Sequence, residues 1–107
     1  MNIMKMMKQA ADLQKQMGKL QEELAQRTVE FSSGGGMVTV TARGDLSVER
    51  IAINPEVVNP DEVDLLEDLV RAAVDGALED ARKMAAEEMA KVTGSLGGLP
   101  PGMKLPF

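Results

Sequence analysis

Apolar residues at the start of the chain recur in steps of three and four: Ile3, Met6, Ala10, Leu13, Met17, Leu20 and Leu24. This is a heptad seam held for about three heptads, and it predicts a helix over residues 3–26. Gly18 lies off the seam and costs about 1 kcal/mol relative to Ala. The period then switches to two. Val29 and Phe31 alternate with Thr28 and Glu30, and Val38, Val40 and Ala42 alternate with Thr39, Thr41 and Arg43. Between these runs, "SSGGG" at 32–36 supplies the glycines that a loop with positive φ requires. "GD" at 44–45 marks a second turn, and Leu46, Val48, Ile51 and Ile53 suggest a third strand. The apolar phase slips between Val48 and Ile51, so a bulge or a break is expected there. Three short strands with tight connections read as an antiparallel meander.

"NPEVVNP" at 54–60 ends the sheet. Asn59 suits an N-cap, Pro60 the first helical position, and Glu62 can close a capping box. A long helix is expected from there to about Val92. Its broad apolar stripe runs through Leu66, Leu69, Val70, Ala73, Val74, Ala77, Leu78, Ala81, Met84, Ala85, Met89 and Val92. Asp61, Glu62 and Asp64 sit at its positive end and Lys91 at its negative end, as the macrodipole favours. At about 1.5 Å per residue the helix is about 45 Å long. A sheet of short strands cannot cover that length, so parts of both helices should project or meet another chain. The predicted fold class is α+β: a two-layer α-β-β-β-α unit with a three-stranded antiparallel sheet and long projecting helices. Residues 1–93 form one domain and 94–107 a Gly/Pro-rich tail. Leu99, Met103, Leu105 and Phe107 make that tail too apolar for a purely solvated segment.

Composition sharpens this picture. A chain of 107 residues holds about one domain. It has two Phe and no Tyr or Trp, so Ala, Leu, Val and Met must fill the core. Self-association would add burial that a small protomer lacks. The heptad seam therefore has two readings. It packs on the protein's own sheet, or part of it meets a partner helix, with Met6, Ala10, Leu13 and Met17 as the candidate dimer interface. The chain has no Cys and no His, which removes thiolate nucleophiles, imidazole bases and the usual zinc ligands. "SSGGG" lacks the Lys and Ser/Thr of a P-loop and leads into a strand. Glu87 and Glu88 are adjacent and point apart, and no calcium loop is present. No enzyme activity, cofactor, metal or small-molecule substrate is expected. No apolar run approaches a membrane span of about 18 residues. Lys5 and Lys8 interrupt what a signal peptide would need. A cytoplasmic protein is expected.

The formal net charge is −5, but it is polarised. Residues 1–27 hold Lys5, Lys8, Lys15, Lys19 and Arg27 against Asp12, Glu22 and Glu23, about +2. Residues 61–93 are strongly acidic, about −6. At about 100° per residue, Lys5, Lys8, Lys15 and Lys19 fall within an arc of about 80°, nearly opposite the apolar seam. They could form a solvated face, pair with the acidic second helix, or track a phosphate backbone. In a dimer the row would double to about eight charges, and binding would fall steeply with salt. Base stacking usually needs aromatics, and this chain has only Phe31 and Phe107, so duplex contact fits better. The first helix offers Gln9, Gln14, Gln16 and Gln21 but no Arg before Arg27, which argues for little direct base reading.

"MNIMKMMKQAADLQKQM", "GGGMVTVTARGD", "LLEDLVRAAVDGALEDARK" and "LPPGMKLPF" together resemble the YbaB/EbfC family of bacterial nucleoid-associated proteins. The similarity runs nearly the whole length in the same order, and "PPGMKLPF" is its most distinctive part. It implies an α-β-β-β-α protomer and a homodimer whose helices project like tweezers. It also implies double-stranded DNA as partner, a cytoplasmic nucleoid location, and effects on DNA conformation and gene expression. The family's projecting helices point to Lys5, Lys8, Lys15 and Lys19, and also to Arg82, Lys83 and Lys91, as DNA-binding residues. The competing reading is a non-enzymatic protein–protein adaptor using coiled-coil tips or the apolar tail.

Overall fold

The computed structural model describes residues 2–95. Its order is α1 (Ile3–Gln26), β1 (Thr28–Ser33), β2 (Val38–Arg43), β3 (Val48–Ile53) and α2 (Val63–Ser95). This is the α-β-β-β-α architecture, with an antiparallel sheet in the order β1-β2-β3. The molecule is long and thin, with extents of 71 × 27 × 16 Å. Helix α2 runs three residues beyond the predicted end at Val92. Residues 96–107, which carry most of the expected tail, lie outside the described residues.

Each local feature has a visible cause. The Asn2 side chain caps α1 by accepting from the Lys5 N–H at 3.4 Å. At the other end the extended Arg27 stops the helix while its N–H still reaches the Glu23 and Leu24 carbonyls. Gly34, Gly35 and Gly36 all have positive φ in the β1–β2 loop. That loop is pinned to α2 where the Ser33 hydroxyl donates to the Leu69 carbonyl at 2.6 Å. In the β2–β3 turn, the Asp45 carboxylate accepts from the Ser47 N–H at 3.0 Å and from its hydroxyl. Those bonds, the hydroxyl foremost, hold Asp45 below its ordinary carboxylate range.

Two details depart from the sequence reading. Leu46 belongs to the turn, not the strand, and takes φ 69°. Asn59 does cap, accepting from the Asp61 N–H at 3.0 Å, but it caps a 3-10 turn at Pro60–Glu62 that precedes α2. The expected bulge is present. Thr41 pairs with Arg50 and Ala42 with Val48, so Glu49 is the extra residue.

The core lies between α2 and one face of the sheet. Val38, Val40 and Ala42 of β2 and Ala73, Ala77 and Ala81 of α2 are fully buried. Their spacings of two and four match a strand and a helix laid face to face. Small side chains let the helix backbone approach the sheet closely. Gly76 carries this furthest, because a Cβ there would collide with the Phe31 ring. Each fully buried Val contributes about 1.5–3 kcal/mol, so a core of Val and Ala is modest.

The sheet face is only partly covered. Helix α2 packs on β1 and β2. The register pairs Ile53 with Val38, Ile51 with Val40 and Val48 with Ala42, so these β3 residues share the core-facing side. All three are nevertheless exposed. Helix α1 packs only by its C-terminal end, through Leu20 and Leu24, and projects from there. Gly44 sits against that junction; a Cβ on it would come within 2.6 Å of the Leu24 carbonyl oxygen.

Candidate nucleic-acid interface

The outward flank of α1 is set by the same periodicity that buries Leu20 and Leu24. Placing those two leucines against the fold rotates Lys5, Lys8, Lys15 and Lys19 to the far side. All four are exposed. Among the described residues, no carboxylate lies within 4.0 Å of any of them. The acidic stretch of α2 therefore does not neutralise them within the protomer. The row runs about 21 Å along the helix from Lys5 to Lys19. Only Asp12 interrupts it, at the edge of a shallow hollow that also involves Lys15, Lys19 and Glu22.

The α2 cations are arranged differently. Lys91 borders the same cleft as Lys19, together with Gln16, Leu20, Glu23, Glu88 and Val92. Its ammonium lies 3.2 Å from the Glu88 carboxylate. The same carboxylate oxygen accepts from the Arg27 guanidinium at 2.6 Å. The Arg27 hydrogen bond first, and that of Lys91 second, hold the Glu88 carboxyl below its ordinary range. Lys91 thus reaches the basic row with part of its charge already answered. Arg82 and Lys83 are exposed but lie about 12 Å or more back along α2 from Lys91. The structure brings Lys91 to the end of the α1 row and leaves Arg82 and Lys83 apart from it.

The remaining predicted site residues, Met6, Ala10, Leu13 and Met17, lie on the seam of the projecting helix. Met6, Ala10 and Leu13 are exposed, and Met17 is half-buried. Two features escaped the sequence reading. One is Arg27 as the tether between the helices. The other is the uncovered β3 face, whose inward phase was legible but whose lack of a covering helix was not. Among the described residues, no group of three or more ligating side chains is placed to hold a metal ion. No helix among them is long and apolar enough to cross a membrane.

Residues 1–96 match the YbaB/EbfC DNA-binding family. A nucleoid-associated protein of Acetivibrio thermocellus is 50% identical over 99 residues, covering 92% of this chain and 88% of the relative. Another, from Caldanaerobacter subterraneus, is 56% identical over 93 residues, covering 87% and 84%. A third, from Granulibacter bethesdensis, is 48% identical over 106 residues, covering 99% and 98%. The crystal structure of an uncharacterized Helicobacter pylori protein, HP0035, superposes with a TM-score of 0.68 at 19% identity. It covers 92% of this chain and 99% of that one, and shares the fold.

Proposed function

Since the chain belongs to the YbaB/EbfC DNA-binding family, we propose that it is a non-enzymatic, nucleoid-associated homodimer that holds duplex DNA by its backbone. The observation that carries this reading is the row of four exposed lysines on α1 with no carboxylate partner in the protomer. Unpaired ammonium groups release counterions when they meet phosphates. A flat row lacking Arg and aromatics has little means to read bases, so sequence specificity is low. Lys91 extends the row, and Arg82 and Lys83 contribute less. Contact along two arms would constrain the path of the duplex, which is the route to altered DNA conformation and gene expression in the cytoplasmic nucleoid.

The dimer follows from the half-covered sheet. Val48, Ile51 and Ile53 form an apolar strip continuous with the core, and Leu46 beside it is also exposed. We place the principal contact there, with Met6, Ala10, Leu13 and Met17 as the secondary region that a symmetry mate could reach. Seating the sheet faces together leaves the α1 lysines outward and doubles the row. Ile51→Glu is expected to yield a monomer by sedimentation.

The lysine row is tested directly by Lys8→Glu with Lys15→Glu. Gel shifts of random duplex DNA at low salt should disappear while the dimer remains folded. Undiminished shifts would remove the row from the mechanism. The exposed Ile3, Met4, Met6 and Met7 favour a second reading, an adaptor that grips another protein with the arm tips. Failure of the wild-type protein to bind DNA even at low salt would select it.

A further inference from the structure

The apolar seam of α1 is covered at one end and bare at the other. Leu24 and Leu20 are 6% and 5% exposed, Met17 is half-buried, and Leu13, Met6 and Ile3 are 40%, 55% and 69% exposed. The seam residues share one face throughout, so the gradient does not come from helix rotation. It follows the partner element. Glu88 meets Arg27, whereas Val92, one turn further along α2, borders the cleft at Gln16, Lys19 and Leu20. The two helices therefore run antiparallel, and α2 is described only to Ser95, near the point where α1 becomes bare. The chain leaving Ser95 sets off alongside residues 13 to 3.

That continuing segment, residues 96–107, reads "LGGLPPGMKLPF". Five of its residues are large and apolar: Leu96, Leu99, Met103, Leu105 and Phe107. Gly97-Gly98 permits a change of direction, and Pro100-Pro101 favours an extended path at about 3.1 Å per residue. Twelve residues then reach about 37 Å, against about 15 Å of helix from Leu13 to Ile3. Tethering at Ser95 gives the segment an effective concentration in the millimolar range at this face, which a second copy in dilute solution does not match.

We infer that residues 96–107 dock along the bare seam of α1 in the same protomer, over Ile3, Met6, Ala10 and Leu13. The docked segment turns a lone projecting helix into a two-segment arm. It hides the methionine-rich face while the lysines, on the opposite flank, remain outward. The inference rests on neither DNA binding nor the dimer, and its test uses no DNA.

The natural chain has no cysteine, so Lys104→Cys carries a single nitroxide. Methionine methyls of the same chain are carbon-13 labelled, and this chain is diluted tenfold in unlabelled wild-type protein. The Met6 methyl signal should lose more than half its intensity relative to the reduced nitroxide. Met37, in the distant β1–β2 loop, should keep its intensity. Leu13→Glu, at an exposed position that leaves the fold intact, should restore the Met6 signal. An unbroadened Met6 would overturn the inference. So would broadening that survives Leu13→Glu, or broadening found only when nitroxide and carbon-13 are on different chains, which would make a second copy the occupant.

Discussion

Helices α1 and α2 both repeat apolar residues at three and four, but they use different side chains and meet different surroundings. On α2 the buried positions are Ala73, Ala77 and Ala81, small enough to bring the helix onto β1 and β2. On α1 the repeat uses Ile, Met and Leu, which offer more apolar surface, yet only Leu20 and Leu24 are buried. Apolar area alone thus does not decide which helix the sheet takes. Strands of six residues span roughly 20 Å, and α2 occupies that length first because its small side chains fit closely. Helix α1 gains a foothold at the sheet's edge and displays the rest, which is why its opposite flank can serve as an interface.

The largest expected break in this comparison lies within α1 itself. Leu24→Ala should cost about 2–5 kcal/mol in urea unfolding, while Leu13→Ala should cost under about 1 kcal/mol, although both belong to one seam. Equal losses would mean that the far end of the seam is as well packed as the near end. Next come the glycines. Gly76→Ala pushes against the Phe31 ring and should cost about 1–2 kcal/mol despite a better helix propensity. A Cβ on Gly18 meets nothing within 4 Å, so Gly18→Ala should stabilise by up to about 1 kcal/mol. Thermal midpoints at fixed protein concentration would read both.

The smallest effect concerns the tether between the helices. The folded protein holds Glu88 below its ordinary carboxylate range through Arg27 and Lys91. Its contribution is therefore present above the unfolded value near 4.5 and is lost as pH falls through the lowered folded value. Glu88→Gln should be slightly less stable than wild type at pH 6, and the gap should close by about pH 3. A gap that persists in acid would assign the loss to packing instead of charge.

Much of this fold was legible because its signals are local. The seven seam positions placed α1 at residues 3–26, the alternation of Val38, Val40 and Ala42 gave β2, and the slip between Val48 and Ile51 marked the bulge. What was not legible depends on contacts between distant segments. The seam looks alike at Leu24 and at Met6, and only the position of α2 makes one buried and the other exposed. Gly76 reads as a weak spot in a helix until Phe31 is seen beneath it. Leu46 reads as a strand residue because its apolar character masks its left-handed backbone. Within the site, the lysine arc followed from periodicity alone. Whether α2 carboxylates would reach across to it did not, and they do not.

The most direct test of the central claim is the salt dependence of duplex binding, followed by fluorescence anisotropy. The wild-type protein should show a steep linear fall of log K with log salt. Lys8→Gln with Lys15→Gln should flatten that slope by roughly 0.9 for each phosphate contact removed. A slope that the two substitutions leave unchanged would contradict the assignment of the α1 flank as the surface that meets DNA.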